Sequence, residues 1–130
     1  MKTDYFSVRG KWGVIICHDL HRLDEYEMRQ SMIAFGMRGG RLDNAVDILL
    51  FHEDTGMCVS RDDVRMSLIF IGNTSSEEQF WDTVSHELFH AQQAILDYYD
   101  VPNDGESAAW TMGYLMRCAV QLLGGPCEER

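Results

Sequence analysis

A chain of 130 residues that is 45% hydrophobic has material for one domain and one core, burying about two thirds of its unfolded surface. Its formal net charge is −10 and its eleven Lys and Arg are scattered, which argues against a nucleic-acid partner. The start Met1-Lys2-Thr3-Asp4-Tyr5 has no apolar signal core, and no stretch approaches the roughly eighteen apolar residues of a membrane span, so a cytoplasmic protein with no membrane partner is expected.

In chain order, residues 12–17 read as a short apolar strand. The following Cys17-His18-Asp19-Leu20-His21 resembles a ligand cluster, but it falls where the backbone turns, and His18 and His21 are read as surface or loop residues. Residues 24–35 read as a helix with Tyr26, Met28, Met32 and Ile33 among its apolar positions, stopped by Gly36, Gly39 and Gly40. Residues 46–51 are expected to form a strand, Glu53-Asp54-Thr55-Gly56 a turn and residues 57–60 a partner strand. After Asp62 and Asp63 comes the clearest strand, residues 64–71. There Val64, Met66, Leu68 and Phe70 alternate with Arg65, Ser67, Ile69 and Ile71. The cysteines 17, 58, 118 and 127 form no C-x-x-C pair, so reduced thiols acting as small apolar residues are expected.

The second half is helical. Thr74 and Ser75 are good N-caps, each with a glutamate three residues on, and Phe80, Val84, Leu88, Ala91 and Ile95 recur at helical spacing. Asp100, Pro102, Asn103 and Gly105 end the segment near Tyr99, giving a helix over 76–99 about 36 Å long. A second helix over 104–123 follows, closed by Gly124-Gly125-Pro126; its small residues Ala108, Ala109 and Gly113 would let it approach the first closely. Residues 1–75 are thus mainly sheet plus one helix, and the whole is an α+β domain with a three- to four-stranded mixed sheet.

Mid-way along the first long helix stands His86-Glu87-Leu88-Phe89-His90. Positions four apart share a helix face, so both imidazoles can reach one metal ion. Two neutral histidines bind Zn2+ but leave it coordinatively open, and Glu87 beside the remaining water is the base that metal-assisted hydrolysis requires. Metzincins continue with a glycine and a third histidine; here Ala91-Gln92-Gln93-Ala94-Ile95-Leu96 follows, which excludes that class.

From His86 to about Leu123 the chain resembles a gluzincin, the zincin class whose third ligand is a glutamate on the next helix. It is nearest to the smallest such domains and to short metallopeptidases of bacteria and phages. The resemblance implies a small zincin-like domain, one Zn2+ per chain on His86, His90 and Glu106, Glu87 as catalytic base, and a peptide or protein substrate. It also implies that the strand over 64–71 is the sheet edge that holds an extended peptide. The chain departs from the pattern at Gln92, where zincins usually place an apolar residue. It departs again at Trp110, where an Asp often orients a ligand histidine. Glu106 has a second reading as a capping-box residue if Asn103 is the N-cap, and Asp104 is a competing carboxylate. A catalytically degenerate zincin-like domain that binds a peptide or partner, or a metal-stabilised structural domain, stays open beside the enzyme. His52, Tyr98, Tyr99 and Tyr114 are the candidates for stabilising an oxyanion.

Overall fold

In a computed structural model that describes residues 1–124, β1 (Lys2–Val8) and β2 (Trp12–His18) form an antiparallel hairpin running from the Lys2–His18 pair to the Val8–Trp12 pair. Arg9 and Gly10 at its turn have φ of 54° and 69°, the left-handed backbone that suits a tight hairpin with right-twisted strands. β1 has no counterpart in the sequence-based expectation, because only Phe6 is buried along it. A 3-10 turn (Arg22–Asp24), α1 (Glu25–Ala34) and α2 (Gly39–Phe51) then cross one face of the sheet. After them come β3 (Gly56–Arg61) and β4 (Met66–Ile71). β4 lies parallel to β2 and antiparallel to β3, giving the order β1-β2-β4-β3.

Two expectations are corrected here. Residues 46–51 are the C-terminal half of α2, not a strand: Leu42, Val46 and Leu49 are its buried residues, and their spacing is helical. Gly39 and Gly40 open that helix; they do not merely end the one before. The strand over 64–71 is not the sheet edge, since β4 is hydrogen-bonded on both sides and the outer strands are β1 and β3. Arg65 stays in the preceding turn, with φ 54° and its N–H on Asp62 O at 3.2 Å.

Burial of β4 on both faces explains its apolar run. Leu68 and Phe70 pack with Met28, Met32, Val46 and Leu49 beneath α1 and α2. Ile69 and Ile71 join Val14, Ile16, Val84, Leu88, Ile95 and Leu115 on the other face, under α3 (Glu77–Tyr98) and α4 (Gly105–Leu123). A polar thread crosses the sheet, with Trp12 Nε1 donating to Ser67 Oγ at 3.0 Å and Ser67 Oγ 2.7 Å from Ser60 Oγ. The architecture is α+β, a four-stranded mixed sheet with four helices.

α3 is capped by Ser76, whose Oγ accepts from the Gln79 N–H at 3.1 Å, so neither Thr74 nor Ser75 is the cap. At its far end Asp100 takes φ 56°, and the N–H groups of Asp100 and Val101 close on Asp97 O and Leu96 O, a Schellman ending. The N-cap of α4 is Asp104, not Asn103, with no side-chain cap bond, which places Glu106 second in the helix and outside a capping box. The small residues of α4 divide differently from expectation: Leu115 and Ala119 are its buried positions, while Ala109 and Gly113 line a surface depression. Gln92 is buried on α3, and its Nε2 donates to Ala108 O, which gives this polar departure a structural use.

Cys17, Cys58 and Cys118 are free thiols; Cys127, Gly125 and Pro126 lie outside the described residues. Among the described residues no helix is long and apolar enough to cross a membrane.

Candidate functional site

α3 turns Val84, Leu88, Ala91 and Ile95 onto the sheet, and the same periodicity fixes where the motif residues point. His86 and His90 are exposed side by side, ring centroids 4.9 Å apart and planes at 77°. Glu87 turns inward and is 5% exposed. It rests against the first residue of β3. A Cβ built on Gly56 would stand 2.9 Å from both Glu87 Cγ and Glu87 Oε2, and 2.8 Å from Thr83 Cγ2. Only glycine permits this approach of strand to helix. Gly56 and Thr83 therefore belong to the site although the sequence reading passed over both; the only local signal was a turn glycine.

Burial pushes the Glu87 carboxyl above its ordinary value, and the neighbouring His86 and His90 partly oppose it. On β3, burial pushes the Cys58 thiol up to about 12, with the Glu87 charge adding to the shift and Ser60 opposing it.

A depression of about 520 Å3 opens beside the motif, lined by Asp54, Thr55, Gly56, Asp82, His86 and Glu87 among others. Its wall is stitched together. Asp54, at φ 61°, accepts from the Ser75 N–H and Oγ, each at 2.8 Å, and the Gly72 N–H donates to Thr55 O at 2.8 Å. These bonds tie the approach to β3 to the approach to α3.

The expected ligands are not all brought together. Glu106 lies on the first turn of α4, where its Oε2 accepts from Trp110 Nε1 at 3.2 Å, and it lines a different depression with Trp12 and Tyr99. Asp104 is the exposed N-cap of α4. Among the described residues no three His, Cys, Asp or Glu side chains converge as a metal-ligand group. The histidine pair, exposed and one turn apart on a helix, offers the donor type that zinc takes at two of its positions. His90 has an orienting partner that the sequence reading did not find: its Nδ1 is 3.2 Å from Gln93 Oε1. If Nδ1 donates there, Nε2 keeps its lone pair for a metal.

The remaining candidates lie elsewhere. His18 Nε2 is 2.8 Å from Asp4 Oδ2 and half-buried, while His21 caps the 3-10 turn by accepting from the Leu23 N–H, so these two histidines serve separate structural bonds. His52 is exposed at the end of α2. Tyr98 packs edge-on to Trp12, Tyr99 Oη donates to Lys11 O at 3.2 Å and Tyr114 Oη to Ser7 O at 3.4 Å. Two of these three tyrosines are thereby tied to the β1–β2 hairpin.

No family model, curated protein or solved structure matches the chain.

Proposed function

We propose that this chain is a zinc-dependent hydrolase, a peptidase of minimal gluzincin type, with His86 and His90 holding one Zn2+ and Glu87 as the base. One observation carries the reading: a desolvated carboxylate of raised proton affinity stands on the helix turn that presents two adjacent exposed imidazoles, at the rim of a depression. A structural zinc site has no use for such a group. Bound Zn2+ would lower the pKa of a water to about 7. His86 and His90 hold the ion through ring nitrogens, and Gln93 orients the second ring. Glu87 takes a proton at its carboxylate and returns it to the leaving amine, a role suited to a carboxyl whose pKa is raised toward the working pH. β3, the sheet edge beside Glu87, offers main-chain groups to an extended peptide.

A second reading, a zincin-like module that binds a peptide or partner without cleaving it, is favoured by one specific observation. Glu106 is engaged with Trp110 and lines a different depression from the histidines.

The deciding measurement is the metal content of protein purified without added zinc. About one Zn2+ per chain is expected, lost in His90→Ala, with a chelator lowering the melting temperature by several degrees. Protein that is metal-free and melts the same with or without zinc rejects both readings. Zinc binding without cleavage of a broad peptide library selects the binding module. Glu106→Gln tests the third ligand, since a tenfold loss of zinc affinity would mean that Glu106 turns to the metal when it binds.

A further inference from the structure

The larger of the two depressions lies between the β1–β2 hairpin, the end of α3 and the first half of α4. From His90 to Tyr99 is roughly 13 Å along α3, so this is a separate place from the motif. The hollow measures about 1000 Å3, the upper limit for small-molecule pockets. Its floor is apolar: Trp12, Ile95, Leu96 and Val101. Trp110 projects from its wall 75% exposed, the most exposed of the large aromatics and an unfavourable position for an indole in water.

The hollow gathers cations on an acidic chain. Against a net charge of −10, three cations gather here, Arg9, Lys11 and Arg117, and among the described residues none of them enters an ion pair. Elsewhere Lys2, Arg29 and Arg61 are paired with carboxylates, and Arg22, Arg38, Arg41 and Arg65, which enter no ion pair among the described residues, line neither depression. Arg117 instead lies over the Tyr114 ring, 5.3 Å from its centroid. The single carboxylate in the hollow, Glu106, already accepts from Trp110 Nε1. The walls are fixed before any ligand arrives, because Tyr99 and Tyr114 bond to the hairpin backbone and Trp12 to Ser67. Trp, Tyr and Arg over a dry floor are the residues that dominate binding energy at protein interfaces, and pre-set walls lower the entropic cost of docking.

We infer that this hollow is a docking groove for an acidic peptide segment of another protein, with bulky apolar side chains entering over Trp12 and Leu96 and flanking carboxylates meeting Arg9, Lys11 and Arg117. The groove explains why Trp110 stands exposed at a position where the resemblance expects an Asp, and it is independent of the zinc reading.

The test uses the whole chain in EDTA, so that loss of the metal reading leaves the result interpretable. An array of peptides of about twelve residues, with Glu and Asp around one or two Leu, Phe or Trp, is compared with arrays in which Lys replaces the acids or Ala the apolar residues. The acidic apolar array should bind and the two controls should not. Anisotropy titration of its best member should weaken at least tenfold in Trp110→Ala and in Arg117→Glu, both at surface positions that leave the fold intact by circular dichroism, and should weaken with added salt. The inference is overturned by an array that binds nothing, by equal binding of the Lys or Ala controls, or by variants that bind as the parent does. It is also overturned if ATP or oligothymidylate displaces the peptide with higher affinity, which makes the groove a nucleotide site. Self-association abolished by Trp110→Ala would likewise overturn it and make the occupant a second copy.

Discussion

Glu87 and Gly56 act as one unit, since the carboxylate can lie where it does only because residue 56 has no side chain. Gly56→Ala should cost about 1–3 kcal/mol through forced displacement of Thr83 and Glu87, read as a lower urea midpoint at unchanged m-value. A substitution within a few tenths of a kcal/mol of the parent would show that the strand and helix part without cost. On the proposed hydrolase reading, Glu87→Gln should keep folding and metal but lose hydrolysis by at least ~10². The same variant has a pH signature. A carboxyl whose folded pKa is raised is protonated, and without penalty, in both states at low pH; stability is lost as pH rises from the unfolded pKa through the folded one, and the loss then stays constant. Metal-free Glu87→Gln should therefore melt above the parent at pH 7, with the gap closing as pH falls toward about 4. Equal melting at neutral pH would mean that Glu87 is solvated. The adjacency of His86 and His90 and the place of Glu87 on the same turn were legible in sequence because their geometry is local to one helix. The Gly56 contact was not, because it joins residues more than twenty-five apart, and the direction of Glu106 depends on how α4 is rotated about its own axis, which no local pattern fixes.

At the scale of elements, α1, α3 and α4 follow from their periodicity, and β2 and β4 from their apolar runs. The reading of 46–51 as a strand failed because a short apolar run lacks a decisive period, and the helical repeat emerges only when Leu42 is counted with Val46 and Leu49. β1 escaped because an edge strand packed on one side needs few apolar residues. The α3–α4 pair shows a polar residue holding two helices together. Gln92→Leu keeps volume but removes the bond to Ala108 O, so a loss of about 1 kcal/mol in chemical denaturation is expected. A gain in stability would show that apolar packing alone orders this pair.

At the scale of the whole molecule, two helix pairs enclose the sheet, and the thiols record how well. Burial raises both Cys17 and Cys58, the latter to about 12, so at pH 8 the thiolate fraction of Cys58 is on the order of 10⁻⁴. Buried Cys17 should react with Ellman's reagent only as fast as the chain unfolds, half-buried Cys58 slowly in the native protein, and both at once in denaturant, as peptide mapping would show. Rapid labelling of Cys58 in the native protein would mean that β3 opens away from α3. The parallel pairing of β2 with β4 has a different bearing, on the order of assembly. Gly13 meets Met66 although the two lie 53 positions apart in sequence, whereas the β1–β2 turn and the α3–α4 connection close over a few residues. During synthesis, β2 must wait with its inner side unpaired until residue 66 and beyond have emerged, while β3 arrives first and must leave that place vacant for β4. The slow step of folding is then expected to be the closing of the sheet's centre, with the helix bearing His86 and His90 emerging after all four strands and before α4.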